Sequence, residues 1–105
     1  DTLSSDDKIK VLATPDGKMI VLNDRTGTVT VYLDASTYVS LNRTEITIRA
    51  GKNVTLWADG NINLNAEKSI IIEAEEEMKL RCKASEIDVM PEEVKISGND
   101  LRLNP

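Results

Sequence analysis

The stretch that decides the fold reads Ile46-Thr47-Ile48-Arg49-Ala50, Val54-Thr55-Leu56-Trp57-Ala58, Ile62-Asn63-Leu64-Asn65-Ala66, Ile70-Ile71-Ile72-Glu73-Ala74, Met78-Lys79-Leu80-Arg81-Cys82. Three polar or glycine residues separate each of these segments from the next, so the pattern recurs every eight. Apolar side chains at positions one, three and five put one face of an extended segment inward, and the three residues between segments form a corner. A fixed short period of this kind marks a repeat architecture, in which each unit is completed by its neighbours.

The pattern extends both ways from this stretch. Backwards it passes through Val39-Ser40-Leu41 and Val31-Tyr32-Leu33-Asp34-Ala35. Forwards it passes through Ile87-Asp88-Val89-Met90-Pro91, Val94-Lys95-Ile96-Ser97-Gly98 and Leu101-Arg102-Leu103-Asn104-Pro105. Ten copies fill residues 31–105, at start-to-start spacings of eight, seven, eight, eight, eight, eight, nine, seven and seven. Corner length varies while the apolar positions keep their place, because a corner absorbs an insertion and a buried face does not.

The fifth position avoids bulk: Ala35, Ala50, Ala58, Ala66, Ala74, Cys82, Pro91, Gly98 and Pro105 occupy it, with Arg43 the exception. Two branched side chains and then a small one describe a narrow cross-section. The composition agrees, with no Phe, one Trp and two Tyr; a broad two-layer sandwich fills its middle with aromatic rings. One unit cannot form a core alone, because two buried branched side chains do not offset the ordering of eight backbone residues. A triangular prism can take its three sides from three consecutive units of one chain or from one unit of each of three chains. Periodicity leaves both open.

The residues ahead of the repeat differ in kind. Thr14-Pro15-Asp16-Gly17 is a turn signal between Ile9-Lys10-Val11-Leu12-Ala13 and Met19-Ile20-Val21-Leu22, which predicts a hairpin. Asn23-Asp24-Arg25-Thr26-Gly27 turns the chain again, into Thr28-Val29-Thr30-Val31-Tyr32-Leu33. The predicted organisation is a frayed terminus over 1–7, an antiparallel β lead-in over 8–30 and a repeat shaft over 31–105.

Units of the form apolar-x-apolar-x-Ala with three-residue corners, behind the lead-in Thr14-Pro15-Asp16-Gly17-Lys18-Met19-Ile20-Val21-Leu22-Asn23-Asp24 and Thr26–Leu33, resemble the C-terminal shaft of the central spike of contractile injection machines. These are the phage baseplate spikes of the tail protein V type and the VgrG proteins of type VI secretion. The resemblance covers nearly all of residues 8–105. It implies an all-β fold, an intertwined homotrimeric triple-stranded β-helix, or β-prism, behind a short antiparallel meander, with the three chains running parallel. It also implies a structural, non-catalytic needle that punctures a cell envelope. The implied location is a virion tail baseplate, or a target envelope into which the spike is secreted or injected.

On this reading the trimer core comprises Ile46, Ile48, Val54, Leu56, Ile62, Leu64, Ile70, Ile72, Met78, Leu80, Ile87, Val89, Val94, Ile96, Leu101 and Leu103, with Ala50, Ala58, Ala66, Ala74, Cys82 and Gly98 at the small corner positions. Fuller family members carry an oligonucleotide/oligosaccharide-type barrel, and sometimes a lysozyme-like domain, ahead of the shaft. With neither here and no initiator Met before Asp1, the chain reads as a shaft fragment, and baseplate or tail-tube proteins would be met through those further domains. Some phage spikes end in a tip with a His-x-His iron site; this chain has no His. Its end, Leu101, Arg102, Leu103, Asn104 and Pro105, reads as a blunt end on which the family docks a PAAR-repeat tip protein.

Chemistry-bearing constellations are sparse. The absence of His removes triads and His-based metal sites, and no glycine-rich phosphate loop opens a helix. Glu73, Glu75, Glu76 and Glu77 crowd one corner, where a solvated acidic turn is the commoner reading than a cation site. No metal, cofactor or catalytic residue is assigned. Asp59-Gly60 reads as a turn with a positive φ or as a hairpin signal. Asn42-Arg43-Thr44 and Asn53-Val54-Thr55 match the glycosylation sequon, which an outward face rich in Asn and Thr produces by chance. Cys82, the single cysteine, falls on the inward face as a core thiol.

The net charge of −5 is multiplied in any oligomer and opposes binding to nucleic acid and to anionic lipid head groups. No apolar run reaches membrane-spanning length and no signal peptide is visible. Two other function classes stay in play: a glycan-binding adhesive β-solenoid, for which Trp57, Tyr32 and Tyr38 are the candidate contacts, and a small β-helical carbohydrate enzyme with paired acids.

Overall fold

The computed structural model describes the backbone of residues 2–3 and all of residues 7–102. The frayed terminus expected over 1–7 falls mostly outside the described residues, as do Leu103, Asn104 and Pro105. Every regular element among the described residues is a β-strand, and every strand pair is antiparallel. The chain divides into two compact units, residues 1–61 and 62–105.

The first unit is a six-stranded meander in sequential order: β1 (Thr2–Leu3), β2 (Ile9–Ala13), β3 (Met19–Asn23), β4 (Thr28–Asp34), β5 (Thr37–Leu41) and β6 (Ile46–Arg49). The hairpin expected at Thr14-Pro15-Asp16-Gly17 forms, joining β2 and β3 in register from Ile9 opposite Asn23 to Ala13 opposite Met19. Pro15 pre-sets the turn, the Gly17 amide donates to the Thr14 carbonyl at 2.9 Å, and Gly17 takes a φ of 90° that a side chain would oppose.

The next three corners share one device, a short polar side chain that accepts from amides just ahead of it. Asn23 Oδ1 accepts from the amides of Arg25 and Thr26 at 3.0 and 3.2 Å. Asp34 Oδ1 accepts from the amide of Ser36 at 2.8 Å. Asn42 Oδ1 accepts from the amides of Thr44 and Glu45, each at 2.9 Å, while the Asn42 amide donates to the Glu45 carbonyl. Asn42, half of a chance sequon, is therefore a turn residue.

Sheet pairing thus runs further along the chain than the meander expected ahead of the repeat, and the repeat copies that begin at Val31, Val39 and Ile46 lie in adjacent antiparallel strands. The reason is local. Corners capped by Asp34 and Asn42 reverse the chain, so each copy meets its predecessor edge to edge.

The second unit contains a three-stranded meander of β7 (Met78–Cys82), β8 (Ser85–Met90) and β9 (Glu93–Ser97). Both of its loops are two residues long, Lys83-Ala84 and Pro91-Glu92. Lys83 sits at a φ of 53°, the left-handed region that β-carbon sterics disfavour. Gly98 follows β9, and a β-carbon there would stand 3.0 Å from Ser85 Oγ, so this small corner position is held small by its neighbour across the sheet.

Between β6 and β7 no strand forms. Among the described residues, the only hydrogen bond within 52–77 runs from Trp57 Nε1 to Asp59 Oδ1 at 3.3 Å. The corners of the strict eight-residue register lack the side-chain caps found earlier. Gly60 does not adopt a positive φ and no hairpin forms at Asp59-Gly60, contrary to the turn expected there. Within one chain the sheets are open and no prism closes.

Two substitutions follow from these turns. Asn42→Ala removes the acceptor of two amide bonds and is expected to cost about 1 kcal/mol in a urea titration. Lys83→Gly, which relieves the positive φ, is expected to stabilise by about 1 kcal/mol, read as a raised denaturation midpoint.

Candidate functional site

Directly opposed residues in an antiparallel ladder point to the same face, so the registers sort the side chains of each sheet. In the first unit one row across β2 to β6 is Leu12, Ile20, Val31, Val39 and Ile48. The parallel row is Lys10, Leu22, Val29, Leu41 and Ile46. Apart from Lys10, both of these rows are entirely aliphatic. The opposite face is mixed, with Val11, Val21, Thr30, Ser40 and Thr47 in one row and Ala13, Met19, Tyr32, Tyr38 and Arg49 in another.

A monomeric sheet hides its aliphatic face. Here Leu12, Ile20, Leu22, Val29, Val31, Ile46 and Ile48 are all exposed, whereas Val11, Val21, Thr30 and Thr47 on the mixed face are half-buried. A groove of about 510 Å³ follows the aliphatic row, with Leu12, Ile20, Val31, Val39, Ile48 and Val54 among its lining residues.

The second unit repeats this division. Met78, Val89 and Val94 form one row and Leu80, Ile87 and Ile96 the next, with Cys82 opposite Ser85 at the hairpin end. The other face is charged and tied by ion pairs. Lys79 lies 3.5 Å from Glu77 and 3.7 Å from Glu86, Arg81 reaches Glu86 at 3.2 Å, and Lys95 reaches Glu93 at 3.5 Å. Asp88 sits in register between Lys79 and Lys95, yet its Oδ1 is shielded and without a partner because both lysines turn to other carboxylates. Such surface pairs add little stability but identify the solvent-facing side.

The candidate core residues of the strict register, Val54, Leu56, Ile62, Leu64, Ile70 and Ile72, stand in the strandless stretch and are exposed, Leu56 by 70% and Leu64 by 67%. Ala58, Ala66 and Ala74 are exposed with them; Ala50 is half-buried. Leu101 is exposed, and Arg102 Nε pairs with Asp100 Oδ2 at 2.9 Å. Cys82 is exposed on the aliphatic face of β7. Tyr32 and Tyr38 are brought together as an opposed pair with Arg49 next in register, but Trp57, 85% exposed, does not belong to that row. Among the described residues no group of three or more His, Cys, Asp and Glu could hold a metal ion, and no helix is long and apolar enough to cross a membrane.

None of the described residues is buried. The chain exposes 9883 Å², against about 7,000 Å² if both units were compact bodies of ordinary surface-to-mass ratio. An excess of roughly 3,000 Å² is in the range that obligate interfaces cover. With an exposed aliphatic sheet face in each unit and no strand over 52–77, the site is an open apolar surface rather than a pocket.

These properties define an all-β module of open antiparallel sheets whose aliphatic faces are exposed. The family model of the phage baseplate V C-terminal trimerisation domain matches residues 8–73, more than half of the sequence. The chain belongs to that family. Membership supports a structural place in a virion tail baseplate, as a spike C-terminal domain that associates with itself as a homotrimer. Searches of curated proteins and of solved structures return no match.

The division into faces is checked by a matched pair of substitutions. Val31→Asp buries a carboxylate at the association surface and is expected to weaken self-association by at least a hundredfold in sedimentation experiments. Thr30→Asp, one residue away on the mixed face, is expected to change it less than threefold.

Proposed function

We propose that this chain is the shaft of a central spike, in which three copies intertwine over the strict eight-residue register into a triple-stranded β-helix. The observation that carries this reading is the segment 52–77: it keeps the register Val54, Leu56, Ile62, Leu64, Ile70, Ile72 without a break, yet finds no strand partner among the described residues of its own chain. Buried backbone amides and carbonyls need partners, and extended segments obtain them only by pairing. Three copies supply both missing elements, the ladder and the other two sides of a core. Alanines at positions 58, 66 and 74 then let three chains turn a narrow corner together.

The spike acts by stiffness. Closure of the sheet edges between chains leaves no loose strand along the shaft, and each layer is locked to the next by the chain that runs through both. Puncture of a cell envelope by a non-catalytic needle requires no side chain beyond those that hold the layers together. A PAAR-type tip on the end beyond Leu101 and a place in a phage tail or a type VI-like machine belong to this same reading.

Sedimentation equilibrium of the unaltered chain is expected to give three times the 11.6 kDa chain mass. Leu64→Asp, which places three carboxylates in one dry layer, is expected to abolish the trimer. A Leu64→Asp chain that keeps the trimer mass and the parent melting temperature overturns the proposed layer.

A further inference from the structure

The family match ends at residue 73, and β7–β9 lie beyond it. We infer that β7–β9 form a second self-association module, a C-terminal clamp in which the aliphatic sheet faces of three copies pack together and set the register of the intertwined segment before it. The inference rests on the trimeric reading and assigns a separate task to residues outside the matched region.

Three observations converge on it. First, β7–β9 make all their ladder bonds to sequence neighbours through two-residue loops, so the sheet forms inside one chain, whereas 52–77 has no partner there. Local pairing of this sort is completed in microseconds, while association between chains waits on their concentration. Second, the sheet has one aliphatic face that stays open to solvent, Leu80, Ile87 and Val94 being exposed by 60, 38 and 61%, and a charged face already tied by ion pairs. A lone three-stranded sheet of this size is marginal in water unless its aliphatic face is covered. Third, the occupant is set by continuity. Met78 follows the matched stretch by five residues, at most about 18 Å of chain, so a trimer over 8–73 delivers three copies of this same face to one place.

The face also tapers. Its wide end is Met78, Val89 and Val94, and its narrow end is Cys82 and Ser85, with Gly98 kept small by Ser85. Three tapered faces meet closely at the narrow end, where the chains approach each other most. A preformed clamp there aligns three chains before the long register must be chosen, and it removes the one-unit slips that identical eight-residue repeats permit.

The single cysteine makes the test possible without substitution. In the unaltered trimer, identified first by its sedimentation mass, the Cys82 thiol is expected to react with a thiol reagent at least tenfold more slowly than in the guanidinium-unfolded chain. Reaction at the unfolded rate within a confirmed trimer overturns the clamp and leaves the spike reading standing. In a second arm, Ile87→Asp is expected to lower the recovery of trimer after dilution from denaturant by at least tenfold, with Lys95→Gln on the charged face recovering as the parent does. Parent-like recovery of Ile87→Asp also overturns the clamp. An unaltered chain that sediments as a single copy overturns the spike reading itself, and the clamp with it.

Discussion

Everything in this structure depends on an aliphatic surface that one chain cannot cover. The apolar rows of the first sheet, the apolar rows of the second and the leucines and isoleucines between them are all in contact with solvent when a single copy is considered. Burial of such surface is the main favourable term in folding, at about 25 cal/mol per Å², and a chain that withholds it from its own interior must recover it between copies. The backbone makes the same demand independently, because the amides and carbonyls of 52–77 join no ladder.

That constraint explains a division of labour along the chain. Where a corner carries an acceptor for its own amides, as at Asn23, Asp34 and Asn42, the chain turns back and pairs with itself. Where the corner is Gly51-Lys52-Asn53, Asp59-Gly60-Asn61, Glu67-Lys68-Ser69 or Glu75-Glu76-Glu77, it does not. The strands on either side have the same apolar pattern throughout. Two or three corner residues therefore separate the copies of the repeat that pair within the chain from those that do not.

Much of this was legible in the residues alone. The strand faces follow from alternation, and the first hairpin from Thr14-Pro15-Asp16-Gly17, because these signals are local and each is satisfied by its immediate neighbours. The antiparallel pairing of the copies at Val31, Val39 and Ile46 was not legible, because the repeat that announces a stack conceals the caps at Asp34 and Asn42 that fold it back. Asp59-Gly60 misled in the opposite direction: its composition fits a hairpin, but the flanking segments take no part in one. The inward positions of the repeat account for only part of the exposed aliphatic surface. Ile46 and Ile48 do lie on the aliphatic face of the first sheet, which begins well before them at Leu12 and Ile20. In the lead-in the turn signals are the stronger feature, and the same face is carried there only by the short alternations Lys10, Leu12 and Ile20, Leu22.

Amide hydrogen exchange resolved along the chain tests the intermolecular core most directly. The amides of residues 54–74 in the assembled protein are expected to exchange at least a thousandfold more slowly than an unfolded chain, with protection that falls away as the protein is diluted below its association range. Exchange of those amides at unfolded-chain rates, in a sample where the β2–β6 amides are protected, would contradict it.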